Sequence, residues 1–190
     1  MRIAVGITGA SGSIYGYALV RALAQHGVQV AVVLSDMGAK VMQYECGIGP
    51  EALAPYAHLY RDDDLFADVA SGSAPLSGMV IAPCSMNTLS CVAGGSAQTL
   101  LTRMASVTLK EQRKLVVLVR EAPLNVIQLE NMTRLARAGA CIFPASPGFY
   151  ARPTEIWQLV QQIVLRIIGQ FGIETENPQQ WKGGEFIGHT

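Results

Sequence analysis

The chain alternates short apolar runs with longer stretches in which apolar residues recur every three or four positions. Residues 3–7 (IAVGI) form an apolar run that ends in a glycine-rich turn, Gly6 to Gly12, with Thr8 and Ser11 between the glycines. IYGYALVRALAQHG follows with helical periodicity and stops at Gly27. Residues 28–34 (VQVAVVL) read as a second strand, Ser35 to Gly38 as a turn, and AKVMQYE as a short helix ending near Cys46-Gly47. Residues 48–77 are less regular: Pro50, Pro55, the run Asp62 to Asp64 and SGSAP suggest loops, with a short strand near His58 to Tyr60. GMVIAP (78–83) is a strand stopping at Pro83, and CSMNTLSCVAGG a second junction of strand, turn and helix. LLTRMASVTLKE is helical, 114–119 (KLVVLV) a strand, NVIQLENMTRLARAG a helix, and CIFPA (141–145) a strand. An amphipathic helix, PTEIWQLVQQIVLRIIGQFG, has Pro153 near its start and leads to a polar tail from about Glu174 that contains Trp181.

Strands and helices in this alternation predict an α/β domain with a parallel sheet covered on both faces. The strands are nearly continuous apolar runs, as strands buried on both sides require. The expected division is one domain, 1–173, and a tail, 174–190. Ligands of such sheets bind beyond the carboxyl ends of the strands. That rule selects Gly9 to Gly12, Ser35, Cys84 to Thr88, Arg120 to Pro123 and Pro147 to Tyr150 as one rim.

Composition narrows the function. Hydrophobic residues make up 50% and charged residues 15% of the 190, which leaves little charge to cover a monomer and points to a subunit interface. The formal net charge is zero, which gives no electrostatic case for nucleic acid or an anionic membrane. No apolar stretch is long enough to span a bilayer, and no signal peptide precedes the first strand. Cys46, Cys84, Cys91 and Cys141 form no CxxC pair, and His26, His58 and His189 cluster with nothing. Reduced thiols, a cytoplasmic location and no metal are expected.

Each rim segment carries candidate chemistry beside a plainer reading. The first turn suits an anion, because glycines admit a phosphate to the backbone and the helix N–H groups favour its charge. Asp36 follows the second strand where a dinucleotide enzyme keeps a ribose-binding carboxylate, but the Tyr-x-x-x-Lys of short-chain dehydrogenases is absent. Ser85 and Thr88 either hold a ligand or simply cap a helix. Arg120-Glu121 is a salt-bridged loop or a working pair: Arg recognises phosphate or a flavin ring, and Glu relays protons. Tyr150 is a phosphate donor or a loop plug. Arg166, inside IVLRII, is a snorkelling side chain or the partner of an anion. Lys110-Glu111 reads as a solvated pair, and Asp62 to Asp64 as a solvated loop.

Taken together, GITGASG, VVLSDMG, GMVIAPCSMNTL, LLTRMASVTLKEQRKLVVLVREAPL, NMTRLARAGACIFPASPGFYARP and Arg166 resemble the UbiX/Pad1 family of flavin prenyltransferases, over roughly residues 3–170. The resemblance implies a three-layer αβα sheet, Rossmann-like or flavodoxin-like, and assembly into dodecamers. It implies transfer of a dimethylallyl group from dimethylallyl monophosphate to N5 and C6 of reduced FMN, without a metal. The product, prenylated FMN, would serve UbiD-type decarboxylases. By the family pattern Gly9, Ala10, Ser11, Ser35, Ser85, Met86, Asn87, Thr88 and Arg120 hold FMN. Lys110, Arg120, Tyr150 and Arg166 match positions that grip the prenyl phosphate, and Ser11, Glu45 and Glu121 match positions in catalysis. Several of these would come from neighbouring subunits.

The donor set suits the reaction. Ionising an allylic phosphate leaves a carbocation and an anion, and cationic donors stabilise the departing oxygens. Two positions depart from the family: Asn87 where many members have Lys, and Ala74-Pro75 where an aromatic residue commonly follows SGS. The alternatives are a flavin-binding decarboxylase or an accessory subunit that carries flavin. Related peptidyl-cysteine decarboxylases use a His near the first helix, whereas this chain has Ser11-Gly12-Ser13 there.

Overall fold

The computed structural model describes residues 1–176 and 183. Six parallel strands form one sheet: β1 (Arg2–Ile7), β2 (Gln29–Leu34), β3 (His58–Tyr60), β4 (Gly78–Cys84), β5 (Lys114–Val119) and β6 (Cys141–Pro144). Their spatial order is β3-β2-β1-β4-β5-β6. Of the two expected variants, this is the dinucleotide-type Rossmann order rather than 2-1-3-4-5, and the order reverses between β1 and β4. The helices are α1 (Ser13–Gln25), α2 (Asp36–Cys46), α3 (Met86–Ala93), α4 (Leu100–Lys110), α5 (Val126–Arg137) and α6 (Ile156–Gly169). Trp181 and His189, placed in the tail by sequence, lie outside the described residues.

Side chains alternate across the strands and build two cores. Ile3, Val5, Ile7, Val80, Ala82, Val116 and Leu118 pack against α1 and α6, with Met42 of α2. Ala4, Ala31, Val33, Met79, Ile81, Leu115 and Val117 pack against α3 and α4, with Leu135 of α5. Burying each such Ile or Leu contributes about 1.5–3 kcal/mol. Among the described residues no helix is long and apolar enough to cross a membrane.

Three boundaries differ from the sequence reading. The expected turn at 35–38 is the first turn of α2, because the Ser35 hydroxyl accepts from Gly38 N–H at 3.0 Å and caps it. β4 runs through Pro83 to Cys84. α6 starts at Ile156, after the Gln158 carboxamide oxygen has accepted the N–H groups of Thr154 and Glu155.

Candidate active site

The carboxyl ends of β1, β2 and β4 deliver three helix N-termini to one rim, those of α1, α2 and α3. Ser35 caps α2. Ser85 caps α3, accepting from Thr88 N–H at 3.2 Å and donating to the Thr88 hydroxyl at 3.1 Å. Ser85 thus serves as the N-cap of α3, and Thr88 is buried beneath it. Met86 is half-buried and Asn87 exposed on the first turn of α3. Ala10, in the β1–α1 loop, is buried. A Cβ at Gly9 would stand 2.6 Å from the Met37 Cβ, so only glycine lets the first loop close on α2.

At α1 the structure departs from the expected phosphate site. Gly12, at φ +103°, has no side chain to cap the helix. Glu45, reaching across from α2, accepts from Gly12 N–H at 2.8 Å and from Ser13 N–H at 3.1 Å. An internal carboxylate thus already occupies the anion position that the sequence pattern offered to a phosphate. Partial burial raises the Glu45 pKa, but the Ser11 hydroxyl, the two N–H groups and Arg120 outweigh it and hold the carboxyl below its ordinary value. Arg120, on the loop after β5, donates from Nε to the Ser11 carbonyl at 3.1 Å. Ser11, Gly12, Glu45 and Arg120 are one cluster.

Glu45→Gln should lower the melting temperature by about 2–4 °C near neutral pH, the shift for about 1 kcal/mol in a chain of this size. The pH dependence has a definite sign. A depressed folded-state pKa stabilises above the unfolded value, near 4.5, and is lost as pH falls through the folded one. The gap between wild type and variant should stay constant from pH 8 to about 5 and close below that; a gap that widens in acid contradicts the cap.

Glu121 is exposed beside Arg120, and its Oε1 accepts Ala122 N–H at 3.0 Å. Tyr150 lies in the turn after β6 with its ring against Gly148. That turn is tethered by Gln162, a buried residue of α6 whose side-chain oxygen accepts Gly148 N–H. The sequence reading passed over Gln162 because it falls within an amphipathic pattern as one more polar position.

Lys110, matched by the resemblance to the prenyl-phosphate grip, does not reach this rim within one chain. α4 returns to the edge where β5 begins, so Lys110 stands at the opposite edge from Arg120; six strand residues span about 20 Å. Lys110 pairs with Glu111, and both lie against Gly72. Arg166 is exposed on the last turn of α6, its guanidinium 5.3 Å from the Phe143 ring centroid on the flank of β6. Arg166 thus lies on the outer side of the edge strand, beside a cavity that Pro144 and Ser146 at the carboxyl end of β6 also line.

A cavity of about 610 Å³ beyond β2 and β3 shares Ser35 with the rim but is lined by Asp36, Asp62 and Asp63, a poor environment for an anion. Asp62 is not a solvated loop residue. Its Oδ1 accepts Leu101 N–H at 2.8 Å and holds the start of α4, and burial raises its pKa. Among the described residues no group of His, Cys, Asp or Glu could hold a metal.

The flavoprotein family pattern matches residues 1–168. A flavin prenyltransferase UbiX from Methanothermobacter thermautotrophicus is 42% identical over 182 residues, 95% of this chain and 95% of that protein. A crystal structure of AnUbiX (PadA1) in complex with FMN and dimethylallyl pyrophosphate superposes with a TM-score of 0.95 at 38% identity, covering 97% of this chain and 98% of that one. A dodecameric FMN-dependent UbiX-like decarboxylase from Escherichia coli gives a TM-score of 0.93 at 38% identity over 96% and 100% of the two chains.

Proposed function

The chain belongs to the flavoprotein family, among its UbiX flavin prenyltransferases, and from that premise we propose that it transfers a dimethylallyl group from dimethylallyl monophosphate to N5 and C6 of reduced FMN. The observation that carries the site assignment is the cluster at the reversal of strand order. The α1 N-terminus is answered by Glu45, which leaves those of α2 and α3, with Ser35, Ser85 to Thr88 and Arg120, to receive the FMN phosphate and ribityl chain. Gly9 to Ser11 line the approach. Bound reduced FMN supplies a nucleophilic ring edge. Arg120, Tyr150, Arg166 and a partner copy's Lys110 hold the prenyl phosphate, and their donors stabilise the charge on its departing oxygens. Ser11, hydrogen-bonded to Glu45, passes protons between the ionised carboxylate and the ligand. Glu121 accepts the ring proton released when the carbon–carbon bond closes.

We take the working form to be a homo-oligomer, a dodecamer by analogy with the Escherichia coli relative. Its support is the apolar surface of α5 and its approach, where Leu124, Val126, Ile127 and Leu129 are exposed. Residues 1–173 form the flavin domain; the tail assigned from sequence to 174–190 lies, apart from 174–176 and 183, outside the described residues. The four cysteines are free, as suits the reducing cytoplasm, and UbiD-type decarboxylases are the recipients of the product. Anaerobic incubation with reduced FMN and dimethylallyl monophosphate should give a flavin heavier by one prenyl unit in mass spectrometry. Unchanged FMN with both the monophosphate and the pyrophosphate donor overturns the reading in favour of a flavin carrier.

A further inference from the structure

The backbone ladder between β1 and β4 ends at the pairing of Gly6 with Ile81. Beyond it the regular pairing stops, and β4 slips register against β5 between Ile81 and Cys84. Past that point one side chain joins the two strand ends. The Thr8 hydroxyl, fully buried, donates to the Pro83 carbonyl at 2.7 Å and accepts Ser85 N–H at 2.8 Å. The Thr8 N–H also reaches the Pro83 carbonyl, at 3.2 Å. Thr8 directly precedes the Gly9 to Ser11 loop, and Ser85 is the N-cap of α3.

We propose that Thr8 is a positioning residue for the flavin site: its hydroxyl fixes the β1–α1 loop against the N-terminus of α3 and thereby sets the width of the crevice. A hydroxyl is required because one atom must donate to a carbonyl and accept from an N–H at once. Valine has the same shape and does neither. It would leave Ser85 N–H and one acceptor site of the Pro83 carbonyl unsatisfied in a buried place, and they would regain partners only by a shift of the loops. Both loops hold the flavin in the reading above, so this inference rests on that reading.

The test compares Thr8→Val and Thr8→Ser in the full-length oligomer. FMN affinity is measured by flavin fluorescence quenching, and exchange of the Ser85 amide by hydrogen-exchange mass spectrometry without FMN. Thr8→Val should weaken FMN binding by at least about tenfold and accelerate the Ser85 amide, while Thr8→Ser stays within about twofold of wild type in both. FMN affinity unchanged in Thr8→Val overturns the proposal. So does equal loss in Thr8→Ser, which would assign the effect to packing of the methyl group. If Thr8→Val does not fold, Thr8→Cys, with a weak donor and acceptor, takes its place under the same criteria. Failure of wild type to bind FMN would instead overturn the flavin reading.

Discussion

Glu121→Gln should slow formation of the prenylated flavin by about 10²–10⁴-fold, the usual worth of a positioned general base, with FMN affinity within about twofold of wild type. Among the described residues its carboxylate accepts only the neighbouring Ala122 N–H, through Oε1, which leaves Oε2 available to a proton. It stands next to Arg120, which the proposed function sets on the prenyl phosphate. The amide has the same shape and hydrogen-bonds Ala122 equally well, so binding survives and only proton acceptance is lost. Rapid-mix kinetics with mass detection would separate the steps: transfer to N5 proceeds, and closure to C6 stalls. Turnover equal to wild type removes Glu121 from the mechanism.

Lys110→Ala and Arg120→Ala should each reduce turnover by about 100-fold or more, since in the proposed site each removes a cationic donor from the departing phosphate. Mixed and reassembled in equal amounts, the two inactive proteins should regain about a quarter of wild-type activity, because random pairing gives that share of sites an intact Arg120 from one copy and an intact Lys110 from its neighbour. The prediction follows from the placement of Lys110 and Arg120 at opposite edges of β5, too far apart to serve one ligand within a chain. Activity in the mixture no higher than in either variant alone would mean that Lys110 has no part in a neighbouring site.

The fold was legible because its strands are apolar runs bounded by turn residues, and a buried parallel strand has no other way to be written. Which residues stand at the rim was equally legible, since the carboxyl ends of strands follow directly from that pattern. What each of them bonds was not. Glu45 and Gly12 are 33 positions apart, and nothing local to either shows that the carboxylate reaches the helix start. Thr8 reads as a spacer between glycines, although its hydroxyl joins a partner 77 positions away. The distance of Lys110 from Arg120 was hidden for the converse reason: a motif running from VTLKE into LVVLVRE looks continuous in sequence, while the strand inside it carries its two ends to opposite edges.

The sheet closes at both sides with very short strands. β3 has three residues and β6 four, the last of them Pro144, which has no N–H to donate. A neighbouring chain that tried to add a strand would find almost no ladder to extend, and at β6 it would also meet the side chain of Arg166. Backbone templating, the route by which parallel sheets run on into fibres, finds little purchase on the edges of the described sheet. A high copy number in one particle can then be reached only through side-chain recognition on helices and loops, which terminates when the symmetry is complete.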